Sequence, residues 1–263
     1  MHEMPAASNA IIEIRNVSKN YVSRNFGPFG KKEIKPILHN INLDIARGEI
    51  FGLAGESGSG KSTLARCILG LVDYEGEITI DYRVQLTSLM RRKKKTRSVH
   101  FPIHEMHTHE MQARILQPVF QDPGASLNPV KNIGWLLEEP LVIHRLGTAL
   151  ERSRRVDEML FRIGLDPLYR KRRPRELSGG QKQRICIGRA LMLEPKILIA
   201  DEAISSLDVS AGAQILNLFS ELRQNLGLTI LFITHNMDAA EYLCDRVAVM
   251  KEGRLVVPTI EKK

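Results

Sequence analysis

Apolar and polar residues alternate along this chain with more than one period, and each period predicts a different element. Ile11 to Val17 alternates as a half-exposed strand does, and Leu38 to Ile45 repeats the pattern. Ile50-Phe51-Gly52-Leu53-Ala54, Ile197-Leu198-Ile199-Ala200 and Thr229 to Thr234 are unbroken apolar runs, typical of parallel strands buried on both faces. Glu77 to Asp81 and Ile115 to Phe120 predict two further short strands. Helical spacing joins Leu64, Ile68 and Leu71, and it returns between Ile133 and about Leu165 in Leu136, Leu137, Leu141, Val156, Met159, Leu160 and Ile163. Ser178 can start a helix reaching about Leu193, and Ile215, Leu218, Phe219 and Leu222 mark a crossover helix. Strand–helix–strand alternation predicts a doubly wound α/β core with a mainly helical insertion near 122–195.

Two stretches break the pattern. Residues 22–36 carry Gly27, Pro28, Gly30, Lys31, Lys32 and Pro36, which predicts a turn-rich insertion. Residues 82–114 are basic, polar and histidine-bearing without periodicity, which predicts a mobile insertion.

Composition narrows the classes. A chain of 263 residues, 43% of them hydrophobic, is enough for one large α/β domain or for a core with a smaller subdomain. No stretch approaches the roughly 18 uninterrupted apolar residues of a membrane span. Met1 to Ala10 lacks the charged-then-apolar order of a secretory signal. The expectation is a cytoplasmic protein that meets a membrane through a partner. Cys67, Cys186 and Cys244 are odd in number and far apart, so free and mostly buried thiols are expected rather than a disulfide or metal framework. The net charge of +8 is concentrated in Arg91–Lys95 and Arg170–Arg173. Aromatics make up only 5% and none interleaves with the first run, so no base-stacking platform forms, no nucleic-acid partner is expected, and both runs read as solvated faces.

The chemistry begins at residues 55–62, Gly-Glu-Ser-Gly-Ser-Gly-Lys-Ser, the complete G-x-x-x-x-G-K-[ST] pattern between a buried strand and a helix. Glycines let backbone N–H groups converge on phosphate oxygens, and the helix offers its positive N-terminal end to the same anion. Lys61 can reach the β- and γ-phosphates, and the Ser62 hydroxyl can ligate Mg²⁺. The chain is therefore expected to bind ATP or GTP. Leu177-Ser178-Gly179-Gly180-Gln181 sets a hydroxyl and a glycine pair at a helix start, a second phosphate-binding geometry. Asp201-Glu202 follows a buried strand, where an aspartate can join a Mg²⁺ shell and a glutamate can polarise a water. His235 ends the next buried strand, and Gln121 follows the strand ending at Phe120. Each group alone also has a plain structural reading: Ser178 and Asp208 as helix caps, Asp201-Glu202 and Gln121 as turn formers, His235 and Tyr21 as strand-end side chains.

In their order, GESGSGKST, VFQDP, LSGGQ, ILIADE, SSLD and ITHN resemble the ATP-binding cassette (ABC) family of transporter ATPases, from about Ile11 to Val256. LSGGQ is the most specific of these strings. The Val22–Pro36 insertion, GLAGESGSGKSTLAR, and VFQDPGASLNP followed by DEAISSLDVS resemble its dipeptide, oligopeptide and nickel importer branch. The resemblance implies an α/β fold: a RecA-like phosphate-loop NTPase core with an N-terminal antiparallel β subdomain and an inserted helical subdomain. One ABC ATPase domain would span 11–256, with 11–121 plus 195–256 as nucleotide-binding core and β subdomain and 122–194 as helical signature subdomain. It further implies that Tyr21 stacks on adenine and that Gly55, Gly58, Gly60, Lys61, Ser62 and Thr63 hold the phosphates. Ser62 and Gln121 would ligate Mg²⁺, with Asp201 in its shell. Glu202 would be the general base and His235 would contact the γ-phosphate. Ser178, Gly179, Gly180 and Gln181 would act on ATP bound to a second ABC ATPase subunit, identical or paralogous, with Asp208 at that interface. Transmembrane permease subunits, docking on the helical insertion and the Gln121 loop, and an extracytoplasmic solute-binding protein would complete the system at the cytoplasmic face of the membrane.

The pattern departs from the branch in two places. Branch members usually continue into a tail with a His-Pro-Tyr-Thr motif, whereas eight residues follow Leu255 here. Residues 82–114 are longer than the usual connection and contain His100, His104, His107 and His109, a variable surface insertion or, alternatively, a metal-responsive loop. The competing functions are a soluble ABC ATPase in translation, repair or cluster assembly, which the basic charge favours, and a regulatory nucleotide-binding module, which Glu202 and His235 oppose.

Overall fold

The computed structural model describes residues 9–24, 32–84, 97–102, 114–256 and 260–261. Two β-sheets sandwich a helix, and a set of helices covers the far face of the second sheet. The first sheet is antiparallel, in the order β2-β1-β4-β5, built from β1 (Ala10–Arg24), β2 (Lys32–Ala46), β4 (Glu75–Val84) and β5 (Arg97–Pro102). The second holds β3 (Ile50–Ala54), β6 (Leu116–Val119), β7 (Ile197–Asp201), β8 (Thr229–Thr234), β9 (Arg246–Lys251) and β10 (Arg254–Leu255) in the order β10-β9-β3-β8-β7-β6. A short β11 (Ile260–Glu261) pairs with β9. Strands β9, β3, β8, β7 and β6 run parallel.

The unbroken apolar runs are explained by burial on both faces. Phe51, Leu53, Ile197, Ile199, Leu231 and Ile233 join one core with Ile12, Ile14 and Ile45 of the first sheet and with Leu64 and Ile68 of helix α1 (Lys61–Ile68). The alternate residues Leu198, Ala200, Ile230 and Phe232 join the opposite core with helices α3 (Ile133–Ile143), α4 (Ala149–Arg162), α5 (Gly179–Leu191) and α6 (Val209–Leu226). A short α2 (Pro123–Ser126) follows β6, and α7 (Met237–Leu243) follows β8. Phe219 of α6 meets Phe232 edge to face at 6.1 Å. The three cysteines are buried and stand outside any disulfide, as expected. Among the described residues, no helix is long and apolar enough to cross a membrane.

Several expectations need correction. The turn-rich stretch 22–36 is largely a hairpin: Asn20, Tyr21 and Val22 pair with Pro36, Lys35 and Ile34. Pro36 suggested a loop, but β2 is the edge strand of its sheet, where a residue without an N–H is tolerated. Gly27, Pro28 and Gly30 lie outside the described residues. The insertion 82–114 also contributes strand: Tyr82–Val84 extends β4, and Arg97–Pro102 pairs with it from Val84↔Arg97 to Thr79↔Pro102. The alternation of Ser98, Val99, His100 and Phe101 is too brief to stand out from its polar flanks. The Arg91–Lys95 run and His104, His107 and His109 lie outside the described residues. The helical stretch from Ile133 divides at Gly147, where Thr148 and Glu151 form a reciprocal capping box that starts α4.

Glu49 joins the two sheets. Nearly buried at the β2–β3 turn, its carboxylate accepts from the Ala46 amide at 2.7 Å and from Arg246 Nη2 of β9 at 3.0 Å. Arg246 also donates to the Asp44 carbonyl at 2.8 Å. Removing Glu49 takes the carboxylate partner from Arg246, which is only partly buried. Glu49→Ala is expected to lower unfolding stability by about 2–3 kcal/mol, and Glu49→Gln by about half as much, read from urea midpoints.

Candidate nucleotide site

Four parallel strands end on one line. Ala54 is level with Thr234, Asp201 with Ile233, and Val119 with Ala200, so the loops beyond β3, β8, β7 and β6 face a shared space. That space is a cleft of about 990 Å³ lined by Gly55, Gly58, Gly60, Lys61, Ser62, Thr63, Gln121, Glu202 and His235. Asp201 reaches the same point, its Oδ1 accepting from Ser62 Oγ at 3.0 Å.

The loop before α1 is shaped for an anion. Gly55, Gly58 and Gly60 have φ of 148°, 81° and 109°, which turn the backbone in ways side-chain-bearing residues resist. At Gly55 space is lacking as well: a Cβ would lie 2.2 Å from the Met250 carbonyl oxygen. The first turn of α1 contains no acidic residue, so its amides face the cleft without an internal anion. Ser59 Oγ is buried and has no hydrogen-bond partner among the described residues. Lys61 is 4% exposed, and its Nζ donates to the carbonyls of Gly55 at 2.7 Å and Glu56 at 2.8 Å. Burial lowers its pKa, against the opposing pull of Glu202 and Asp201. Burial likewise raises the pKa of Asp201, against the hydrogen bond from Ser62. Both shifts have one cause: the cleft floor is poorly solvated, and charges placed there act strongly on one another.

Glu202 stands just past β7 with φ 54°, an uncommon left-handed conformation for a glutamate that costs about 1–2 kcal/mol. Its amide donates to the Ile233 carbonyl at 3.0 Å, and Ser205 Oγ donates to its carbonyl at 2.9 Å. These bonds hold the turn, and His235 holds the side chain, with Nδ1 2.7 Å from Glu202 Oε2. A carboxylate only accepts, so Nδ1 is the donor and Nε2 is left for another group. No local pattern in the chain signals this His–Glu contact.

The other expected site residues lie elsewhere in the chain. Tyr21 is not among the cleft-lining residues. It sits on β1 beneath Lys19, whose Nζ is 5.2 Å from the ring centroid, and opposite Lys35, which does line the cleft. Lys35 and Ile37 went unnoticed in the sequence because the Tyr21–Lys35 pairing becomes visible only in the hairpin. Ser178, Gly179, Gly180 and Gln181 form the start of α5, where Ser178 Oγ accepts from the Gln181 amide at 3.3 Å and Gln181 Oε1 from the Ser178 amide at 3.0 Å. Asp208 caps α6, accepting from the Ala211 amide at 2.8 Å. None of these five lines the cleft.

With this geometry, the sequence falls into a known family. Residues 38–205 match the family described as ABC transporter, and the chain belongs to it. It carries that family's RecA-like α/β fold and is an ATP-binding, ATP-hydrolysing cassette. Two relatives give its nearer surroundings. It is 39% identical to the oligopeptide transport ATP-binding protein AppF of Bacillus subtilis, over 95% of this chain and 72% of that one. It is 42% identical to the glutathione import ATP-binding protein GsiA of Salmonella paratyphi A, over 94% of this chain and 37% of that one. Among solved structures, the dimeric post-hydrolysis state of the cassette MJ0796 bound to ADP and Pi superposes with a TM-score of 0.75 at 28% identity, covering 96% of this chain and 99% of that one.

The two kinds of glycine constraint separate in experiment. Gly58→Ala meets open space and only an unfavourable φ, so it is expected to cost about 1–2 kcal/mol and leave the fold intact. Gly55→Ala must displace the β9 backbone and is expected to lower thermal stability more and to abolish nucleotide binding, as read by calorimetry and fluorescent-nucleotide titration.

Proposed function

We propose that this chain energises an ABC importer for short peptides, nickel or a related small solute, working as one of two cassettes beneath transmembrane permease subunits. An extracytoplasmic solute-binding protein would present the solute, and the chain would sit at the cytoplasmic face of the membrane through its permease. The observation that carries this reading is the division of chemistry within one chain: one cleft gathers Lys61, Ser62, Gln121, Glu202 and His235, with Asp201 joined to it through Ser62, while Ser178–Gln181 are not among its lining. Relatives named for oligopeptide transport and glutathione import support the direction and the solute class, and do not favour a soluble ATPase of translation, repair or cluster assembly.

The reaction follows from the side chains. The ATP phosphates lie on the loop amides, and Lys61 exchanges the Gly55 and Glu56 carbonyls for β- and γ-phosphate oxygens. The hydroxyl of Ser62, the amide of Gln121 and the carboxylate of Asp201 form an oxygen-rich donor set suited to Mg²⁺, which when bound neutralises phosphate charge. Glu202, aimed by His235, accepts a proton from a water as its oxygen bonds to the γ-phosphorus. The bond from that phosphorus to the bridging oxygen breaks, giving ADP and phosphate. Tyr21, beside Lys35, would take the adenine end. The start of α5 from a second cassette would cover the γ-phosphate, with Asp208 at the junction, so that ATP joins the two cassettes and hydrolysis releases them.

Force would pass to the permease beside Gln121. A groove of about 260 Å³ there is lined by Phe120, Pro140, Ile143, His144 and Cys186. Phe120 and Ile143 are exposed, as is the neighbouring Val142, an apolar rim suited to a membrane subunit's cytoplasmic helix.

Glu202→Gln is expected to retain ATP binding and accumulate an ATP-bound dimer on gel filtration, with turnover reduced by about 10²-fold or more. Lys61→Ala is expected to lose both nucleotide binding and the dimer. Wild-type turnover in Glu202→Gln would remove Glu202 from its role as base.

A further inference from the structure

Gln181 uses both ends of its carboxamide. Its Oε1 accepts from the Ser178 amide, which fixes the amide orientation, so Nε2 is the donor to the Tyr169 hydroxyl at 3.0 Å. Tyr169 is itself held firmly. It lies on a single 3₁₀ turn, Pro167–Lys171, with its amide donating to the Asp166 carbonyl at 2.9 Å and its partly buried ring packed on the helical core. Arg172 covers the ring face, its Cζ 4.1 Å from the centroid. The Arg172 carbonyl accepts from the Ile133 amide at 2.9 Å, tying the turn to the start of α3. Arg170 fixes the other side, donating to the Ser153 carbonyl at 3.1 Å and to Asp157 at 3.0 Å. Part of the basic run that sequence reads as a solvated face is therefore a brace around one tyrosine.

We propose that Tyr169 is a positioning residue for the half-site this chain offers to its partner's nucleotide. Its hydroxyl anchors the Gln181 carboxamide, the carboxamide anchors the Ser178 amide, and so the α5 start is held in the orientation in which it meets the γ-phosphate. The proposal rests on the reading that Ser178–Gln181 act across the cassette dimer. Without the hydroxyl, Nε2 loses its acceptor among the described residues, the carboxamide gains freedom to rotate, and the reciprocal cap at Ser178 loosens. The chain's own cleft, which contains none of these residues, is untouched.

The test compares Tyr169→Phe, Gln181→Ala and the double variant in the full-length chain, each with and without Glu202→Gln. Phenylalanine keeps the ring, its packing and the Arg172 stack, and removes only the hydroxyl. Three quantities are read: ATP-dependent dimer by sedimentation in the Glu202→Gln background, turnover against protein concentration, and the Kd of a fluorescent ATP analogue at dilutions that keep the chain monomeric. Tyr169→Phe is expected to weaken the dimer and lower turnover about 2- to 10-fold, the range for one hydrogen bond. The monomer Kd should stay at the wild-type value, and the double variant should lose no more than Gln181→Ala alone. Additive losses in the double variant, or an unchanged dimer in Tyr169→Phe while Gln181→Ala is impaired, would overturn the role of Tyr169. Loss of monomer nucleotide binding in Tyr169→Phe would assign the residue to fold stability instead. A wild-type dimer in Gln181→Ala would overturn the trans reading of the α5 start itself, and the inference with it.

Discussion

The parallel register of β3, β8, β7 and β6 governs where the polar groups of this molecule can stand. The interiors of β3, β7 and β8 are apolar on both faces, so charged groups are excluded from them until each strand ends. Because the strands are level, their ends coincide, and polar side chains from the segments beyond them arrive together: Lys61 and Ser62 after β3, Asp201 and Glu202 at β7, His235 after β8, Gln121 after β6. The burial that lowers the pKa of Lys61 and raises that of Asp201 is the same low-polarity core reaching up to the cleft floor. Phosphate chemistry benefits from such surroundings, since fixed charges act there with little screening.

The two cores divide the work of positioning. The core between the sheets fixes α1 against β2 and β7, which sets the phosphate-facing end of that helix. The opposite core runs continuously from Ile230 and Phe232 through α5 to Leu137 and Leu160. Gly188 permits this, because a Cβ there would press on Ile163, Leu137 and Met159 at 3.0–3.3 Å. The start of α5 and the groove beside Gln121 consequently rest on one packed unit.

Much of this was readable from the residues, for physical reasons. Buried parallel strands cannot hide their composition, so β3, β7 and β8 were found with nearly their observed limits. The phosphate loop declares itself because glycine is required where φ is positive and space is short, as at Gly55. The helix start at Ser178 is legible through its capping chemistry, and Asp208, which also has a plain reading as a helix cap, does cap α6. What escaped depends on pairing rather than on local pattern. Pro36 disguises an edge strand, and the strand at 97–102 is too short for its alternation to register. Lys35 enters the cleft only because β2 folds back on β1. The His235–Glu202 contact joins two separate strand ends, and the Tyr169–Gln181 contact joins a turn to a helix start. No spacing rule connects either pair.

One small turn ties the phosphate loop to its surroundings. Between β9 and β10, Gly253 donates its amide to the Ser59 carbonyl at 2.9 Å and accepts at its own carbonyl from the His39 amide at 2.9 Å. A Cβ at Gly253 would lie 2.2 Å from the Ile37 carbonyl oxygen, so the three segments are in backbone contact. The loop that grips phosphate is thus a link in a short main-chain girdle running from the central sheet to the outer one. A shift of the outer sheet would therefore reach that loop through main-chain contacts, without any side chain as intermediary.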